Sequence, residues 1–426
     1  MTTEKKHCPP SGNLTAAFID VSAMTEWRRD FHAHPETAYE EVRTAEKVND
    51  LLRSWGIETH VNIGKTGVVG VLKGGNAGPG SPSVGLRADM DALPVTSDTA
   101  ALPYTSKIPG KAHACGHDGH TAMLLGAAKY LSETKNFSGT VYFIFQPAEE
   151  VGAGARAMIE DGLFNIVRCD SIYGMHTSPY TNIRVGQIGV DEGVITANSD
   201  TFSIGITGRG GHAASSADNI DIISLASEIV IELRRYREEE DPSGKEAVLA
   251  VTMFHGGEAP NAMPEKVALG GTVRAFSPDM RDKIEKAVRD IPERLAAAYS
   301  AKVSVEYKRG CSSVCNSREQ TAHARAVATA LLGAGNVVKT GRGMYGEDFS
   351  CFTERVPGAY IVLGQWDGKS PQNKLHSPGF DFNDATLETG ASYWVRLVES
   401  LMPAASPAPG RKTPHEKGAA TGLTPS

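Results

Sequence analysis

The order in which helix-forming and strand-forming segments follow one another constrains this chain most. Residues 37–55 carry apolar side chains at Val42, Ala45, Val48, Leu51, Leu52 and Trp55, a helical spacing. Thr37 and Glu40 are placed as a capping box, and Gly56 stands where a helix ends. Short β-rich runs follow at 68–72, 84–86, 141–145 and 171–174, with helical stretches at 120–131 and 153–159 between them. Strands interleaved with helices in this way predict an α/β fold, a mixed and mainly parallel sheet with helices on both faces.

From residue 199 the rhythm changes to strand, helix, strand, strand, helix, strand. The strands are 201–207, 247–254, 267–276 and 302–307, and the helices 220–236 and 279–299. That order is the split β-α-β, ferredoxin-like α+β unit, which needs only ~100 residues and can fold as its own module. The α/β rhythm then resumes with a helix at 322–332, a strand at 359–363 and a helix at 385–401. The expected organisation is a catalytic domain in two parts, 14–190 and 308–402, interrupted by an inserted lid or dimerisation domain, 191–307. Residues 403–426 are rich in Pro, Ala, Gly and Lys without periodicity and read as a disordered tail.

At 426 residues the chain exceeds one ordinary core. A formal net charge of -7 speaks against a nucleic-acid partner, and no run approaches the ~20 apolar residues of a membrane helix. The N-terminal segment lacks the apolar stretch of a secretory signal. Six scattered cysteines in so long a chain do not make a disulfide framework. A cytoplasmic location is expected, with a small molecule as substrate.

Ligands of open α/β sheets bind beyond the carboxyl ends of the strands, and chemistry-bearing residues gather there. The strand 84–86 runs into Arg87-Ala88-Asp89-Met90-Asp91, 141–145 into Gln146-Pro147-Ala148-Glu149-Glu150, and 171–174 into Met175-His176. Cys115-Gly116-His117-Asp118-Gly119-His120 precedes a helix, and His376 follows the strand 359–363. A lone His176 or His376 would more often be an ordinary surface histidine, and Glu149-Glu150 could be a solvated turn. Cys-x-His-x-x-His with interleaved glycines is poor core material, however, and the convergence on one sheet edge carries the argument. Adjacent side chains at a strand end point to opposite sides, so one glutamate could hold a metal while the other faces substrate. Thiolate, imidazole and carboxylate together suit zinc or a similar divalent ion. Cys115, His117, Glu150, His176 and His376 exceed what one catalytic zinc needs; two ions ~3.5–4 Å apart would use them all. Glu149 would then be the general base.

The segments Cys-Gly-His-Asp-Gly-His-Thr-Ala-Met-Leu, Gln-Pro-Ala-Glu-Glu, Gly-Met-His, Gly-Gly-His-Ala-Ala and Leu-His-Ser-Pro-Gly-Phe-Asp-Phe resemble the M20 metallopeptidase family. The similar branch is that of hippurate hydrolases, N-acyl-amino-acid amidohydrolases and auxin-conjugate hydrolases, and the resemblance runs from about residue 24 to 403. It implies two divalent ions per subunit, commonly manganese or zinc, and a homodimer formed through the inserted domain. It implies Cys115, His117, Glu150, His176 and His376 as ligands and Glu149 as base. In the inserted domain it points to His212, Asn261 and Arg274 as substrate-binding residues, some reaching across the dimer; the plain alternative for Arg274 is a strand-surface cation. The sequence departs from the pattern at Ser216 and Ala217, where relatives have Pro-His, and at Gly346, where relatives have Ser before Glu-Asp-Phe.

The expected reaction is hydrolysis of the amide C–N bond of an N-acyl amino acid, with an aromatic acyl group. The departures keep a second reaction open, hydrolytic deamination of an activated aromatic amine such as a nitroanthranilate. A cysteine hydrolase built on Cys115 and a non-catalytic binding protein are the readings from other classes. Gly208-Arg209-Gly210-Gly211 lacks the length and lysine of a phosphate loop, and His255 has no assigned role.

Overall fold

The computed structural model describes residues 19–404 apart from 76, 179–182, 216–218 and 369–373. The N-terminal segment, nearly all of the tail, Ser216 and Ala217 lie outside the described residues.

The larger sheet has eight strands in the order Glu58–Ile63, Gly67–Lys73, Thr140–Gln146, Ser83–Asp89, Ser171–Thr177, Gly358–Leu363, Ile188–Gly189 and Val337–Val338. The four strands from Thr140–Gln146 to Gly358–Leu363 are mutually parallel, while Gly67–Lys73 runs antiparallel to both of its neighbours, Glu58–Ile63 and Thr140–Gln146. Helices Val21–Ala33, Val42–Ser54, His117–Thr134 and Leu387–Leu401 cover one face through a core that includes Met24, Leu52, Leu124, Phe143 and Trp394. Helix Gly154–Glu160 covers the other, through Ile144, Met158, Ile172 and Phe349. This is the mixed sheet with helices on both faces. The parallel strands bring Asp89, Gln146 and Thr177 to one edge, and the loops beyond that edge build the site.

The smaller sheet has the order Ala247–Gly256, Lys266–Ala275, Asp200–Thr207, Lys302–Lys308, all antiparallel. Asp200–Thr207 alternates buried and open residues along its length. Its buried face packs on helices Ile222–Glu240 and Pro278–Tyr299 through Ile204, Ile206, Leu225, Ile229, Val273 and Val288. Buried Asp200 holds the places where the chain enters and leaves this sheet. It accepts from Arg281 at 2.5 and 2.8 Å, from Tyr307 Oη at 2.9 Å and from the Gly310 amide at 3.0 Å.

Some elements differ from the sequence reading. The helix expected over 37–55 begins at Val42, after Glu41. Thr37 does donate to Glu40, but Tyr39 adopts φ 65°, which turns the chain before a helix can form. Helix Val21–Ala33 has no sequence counterpart above because a charged residue, Arg28, lies fully buried on its inner side. Strand Glu58–Ile63 is a polar edge strand and gives little apolar signal.

Candidate metal centre

The Cys115–His120 segment enters helix His117–Thr134 through Gly116, whose φ of 98° is left-handed. A side chain there would strike Thr177 Oγ1 at 2.8 Å, and one on Gly119 would meet the Phe382 ring at 2.2 Å. The glycines therefore let this segment settle against strand Ser171–Thr177 and the 380–384 loop. Cys115 and His117 are buried, and Cys115 Sγ lies 3.4 Å from His176 Nε2.

Glu149 and Glu150 do not sit on opposite sides of a strand. The strand ends at Gln146 and both glutamates lie in the turn beyond it. One oxygen of each comes within 3.9 Å of His117 Nε2. Asp91 holds this turn: its carboxylate accepts from the Glu149 and Glu150 amides at 3.1 and 3.0 Å. Ala148, just before the pair, has φ 54°, and its amide is anchored by the buried carboxylate of Glu41 at 2.9 Å. His376 is likewise left-handed at φ 64°; its amide donates to Ala114 O at 2.7 Å, and its Nε2 lies 3.4 Å from Glu150 Oε2.

The histidine rings are oriented from behind. His117 Nδ1 pairs with Asp91 O at 2.8 Å and His176 Nδ1 with Thr177 O at 2.7 Å, which fixes those nitrogens as donors and turns each Nε2 toward the cluster. His120 is occupied on both sides, by Asp89 at 2.6 Å and by the Thr177 amide at 2.9 Å. That leaves it a supporting residue.

Among the described residues four groups have ligand atoms within 4.8 Å of one another: Cys115, Glu150 and His376; His117, Glu149 and Glu150; Glu149, Glu347 and Asp348; and Asp89, His117, His120 and His176, in which Asp89 and His120 are already tied to each other, to Arg87 and to Thr177. His117 Nε2 and Glu150 Oε1 are buried and have no hydrogen-bond partner. An unsatisfied imidazole nitrogen facing an unsatisfied carboxylate oxygen costs free energy unless something fills the gap, and a divalent cation satisfies both. The donor set thus fits a metal.

The electrostatics agree. Burial raises Glu149 well above the usual carboxylate range, with Glu347 and Glu150 adding like charge. Burial also lifts Glu150 to about 7, although His117 pulls the other way. The Cys115 thiol is pushed well above its ordinary value by burial, then by Glu150 and Glu149. Burial disfavours charge on His117, but Asp89, Asp91 and Glu150 outweigh it and raise the ring to about 10. The metal-free centre therefore holds protons that a cation would displace. Behind it, Arg87 is fully buried and serves Asp89, Glu347 and Asp348 at 2.6, 3.0 and 3.3 Å.

The cluster opens into a cleft of about 690 Å³, whose walls include Cys115, Glu149, Glu150, His176 and His376. Arg274 and Lys308 reach it from the smaller sheet. Arg274 is half-buried and its Nη1 donates to Thr272 Oγ1 and Val273 O. His212 and Asn261 are not brought in: they sit together at an exposed two-stranded antiparallel ribbon, Gly211–His212 with Ala262–Met263, where the Ala213 amide donates to Asn261 O at 3.0 Å, and neither lines the cleft. Asp91, Glu41, Glu347 and Asp348 are the site residues to which sequence reasoning gave no role. Asp91 was visible at a strand end, and Glu347-Asp348 only as part of a motif.

The chain matches the model described as Peptidase family M20/M25/M40 over residues 85–400. N-acetylcysteine deacetylase of Bacillus subtilis (strain 168) is 37% identical over 381 residues, which is 89% of this chain and 97% of the relative. Hippurate hydrolase of Campylobacter jejuni is 37% identical over 388 residues, 91% of this chain and 98% of the relative. A solved structure of a dinuclear metal-binding M20 peptidase from Bacillus subtilis superposes with a TM-score of 0.76 at 34% identity, covering 90% of this chain and 98% of that one.

Proposed function

Because the chain belongs to peptidase family M20/M25/M40, and so to a group of hydrolases acting on C–N bonds, we propose that it cleaves N-acyl amino acids whose acyl group is aromatic. The observation that carries this reading is the pair of buried, unpartnered atoms, His117 Nε2 and Glu150 Oε1, 3.9 Å apart, with Cys115 and His376 beside Glu150 and with His176 beside Cys115 and His117.

Those five residues would hold two divalent ions, manganese or zinc, which when bound supply Lewis acidity and a more acidic water. Glu149 is the base: it takes a proton from the attacking water and delivers it to the leaving nitrogen. Its place in both the His117 group and the Glu347–Asp348 group keeps the proton close to the reacting atoms. Arg274, half-buried at the cleft wall and hydrogen-bonded through Nη1 to Thr272 and Val273, takes the substrate carboxylate. His212 and Asn261, outside their own cleft, suit the cleft of a partner subunit in a homodimer formed through the inserted domain, 191–307. The catalytic domain then comprises 14–190 and 308–402, and the enzyme works in the cytoplasm.

The test is a screen of N-benzoyl and N-acetyl amino acids with quantified release of free amino acid, before and after chelation. Activity lost in chelator and regained with Mn²⁺ or Zn²⁺ supports the proposal. Ammonia release from aromatic amines without amino-acid release would replace it with the deaminase reading.

A further inference from the structure

Ser199, Gly310 and Gly346 line the same cleft as the metal residues and lie against one another. The φ of Gly346 lies outside the left-handed region, so its backbone does not demand glycine. Its neighbour does: a Cβ on residue 346 would lie 2.7 Å from Ser199 Cβ and 3.3 Å from Ser199 Oγ. Gly310 is constrained from the same side, since a Cβ there would stand 2.0 Å from Ser199 O. Ser199 cannot withdraw easily, because its amide donates to Cys311 O at 3.0 Å and the next residue, Asp200, is locked by Arg281, Tyr307 and Gly310. Positions 199 and 346 can therefore share only one side chain between them, and here residue 199 carries it.

The consequence is a wall in which Gly310 and Gly346 carry no side chain and Ser199 only a small one, with apolar Val151, Met344 and Leu375 elsewhere around the cleft. A wall with so little side-chain relief is flatter than one built of branched residues, and it matches the face of a planar ring better than a tapering aliphatic chain. We infer that the Ser199–Gly346 contact sets acyl specificity: the aryl ring of the substrate lies against the Ser199–Gly310–Gly346 strip, and a side chain at 346 closes that slot as long as it must displace the side chain of Ser199. This rests on the proposed amidohydrolase activity and adds to it the residues that choose the acyl group.

The test is a double-mutant cycle on the metal-loaded enzyme with Gly346→Ala, Ser199→Gly and the pair together, assayed on N-benzoylglycine and N-acetylglycine and melted in parallel. Gly346→Ala is expected to lower the benzoyl-to-acetyl ratio of kcat/KM at least about tenfold, the scale of one misplaced methylene in a binding pocket. The double variant should recover most of both the ratio and the melting temperature, because removing the Ser199 side chain makes room for the new methyl. An equal loss on the two substrates would mean that residue 346 acts through Glu347 rather than on the acyl group, and overturns the inference. So would a double variant no better than Gly346→Ala. Should the wild type cleave neither substrate, the proposed function falls and the acyl assignment with it, while the melting cycle still decides whether the two side chains exclude each other.

Discussion

Asp91 does not line the cleft, yet three site residues depend on it. Its side-chain oxygens accept the amides of Glu149 and Glu150 at 3.1 and 3.0 Å, and its carbonyl oxygen pairs with His117 Nδ1 at 2.8 Å. Asp91→Asn keeps the shape and the carbonyl contact but turns one accepting oxygen into a donating amide, so one of the two turn amides loses its partner. Hydrogen bonds to charged groups contribute about 1.5–3 kcal/mol each, and about 1.4 kcal/mol is a factor of ten. The expected loss is therefore about 10–100-fold in metal affinity or in kcat/KM, the range typical for residues that orient metal ligands. Metal content by elemental analysis, metal titration and steady-state kinetics measure it, and circular dichroism confirms the fold. If Asp91→Asn bound metal and turned over substrate as the wild type does, the idea that Asp91 fixes the glutamate turn would be wrong.

Glu149→Gln is expected to retain its metal and lose about 10²–10⁴-fold in turnover, the range for removing a general base; a metal-free variant would instead show that Glu149 and Glu150 exchange roles. Metal affinity should rise with pH. Cys115 and Glu150 both have raised pKa values in the metal-free centre, Glu150 at about 7, so each holds a proton below its own value that a cation must displace. At about one decade per displaced proton per pH unit, the dissociation constant for Mn²⁺ should tighten at least about a hundredfold from pH ~6 to ~8; a flat titration refutes this protonation scheme. Arg281→Met should cost about 3–5 kcal/mol in denaturant unfolding by leaving Asp200 buried without its guanidinium. Asp200→Asn in the same chain should return much of that loss.

Much of the α/β scaffold could be read from the sequence because its strands are apolar runs and its helices keep one apolar side. The smaller sheet was readable for the complementary reason: Asp200–Thr207 alternates buried and open residues, the signature of a sheet packed on one face. What escaped were the polar edge strand Glu58–Ile63 and a helix whose inner side carries charge. Arg28 is fully buried in helix Val21–Ala33 because Asp381 and Asp384 reach it at 2.9 and 2.6 Å and Asp118 at 3.7 Å. Partners some 350 positions away neutralise that residue, and no local pattern announces them.

The site shows the same division. Its donor types were legible, because Cys, His and Glu at strand ends need a reason that an apolar core does not supply. How they meet was not legible, because it depends on backbone conformations that side-chain identity hides. Gly116 signals its left-handed turn by being glycine, but Ala148 at φ 54° and His376 at φ 64° carry no such mark. Each such residue costs of order 1–3 kcal/mol and persists only where its surroundings over-determine it. Here those surroundings are specific: Glu41 holds the Ala148 amide, and Ala114 O holds the His376 amide one residue from Cys115. The alternation rule placed the two glutamates on opposite sides, and Ala148 is where that rule stops applying, since the chain has left the strand before it reaches them. The strained residue brings both carboxylates to His117. Glu41 and Asp91 are accordingly as much a part of the centre as the residues that face the cleft.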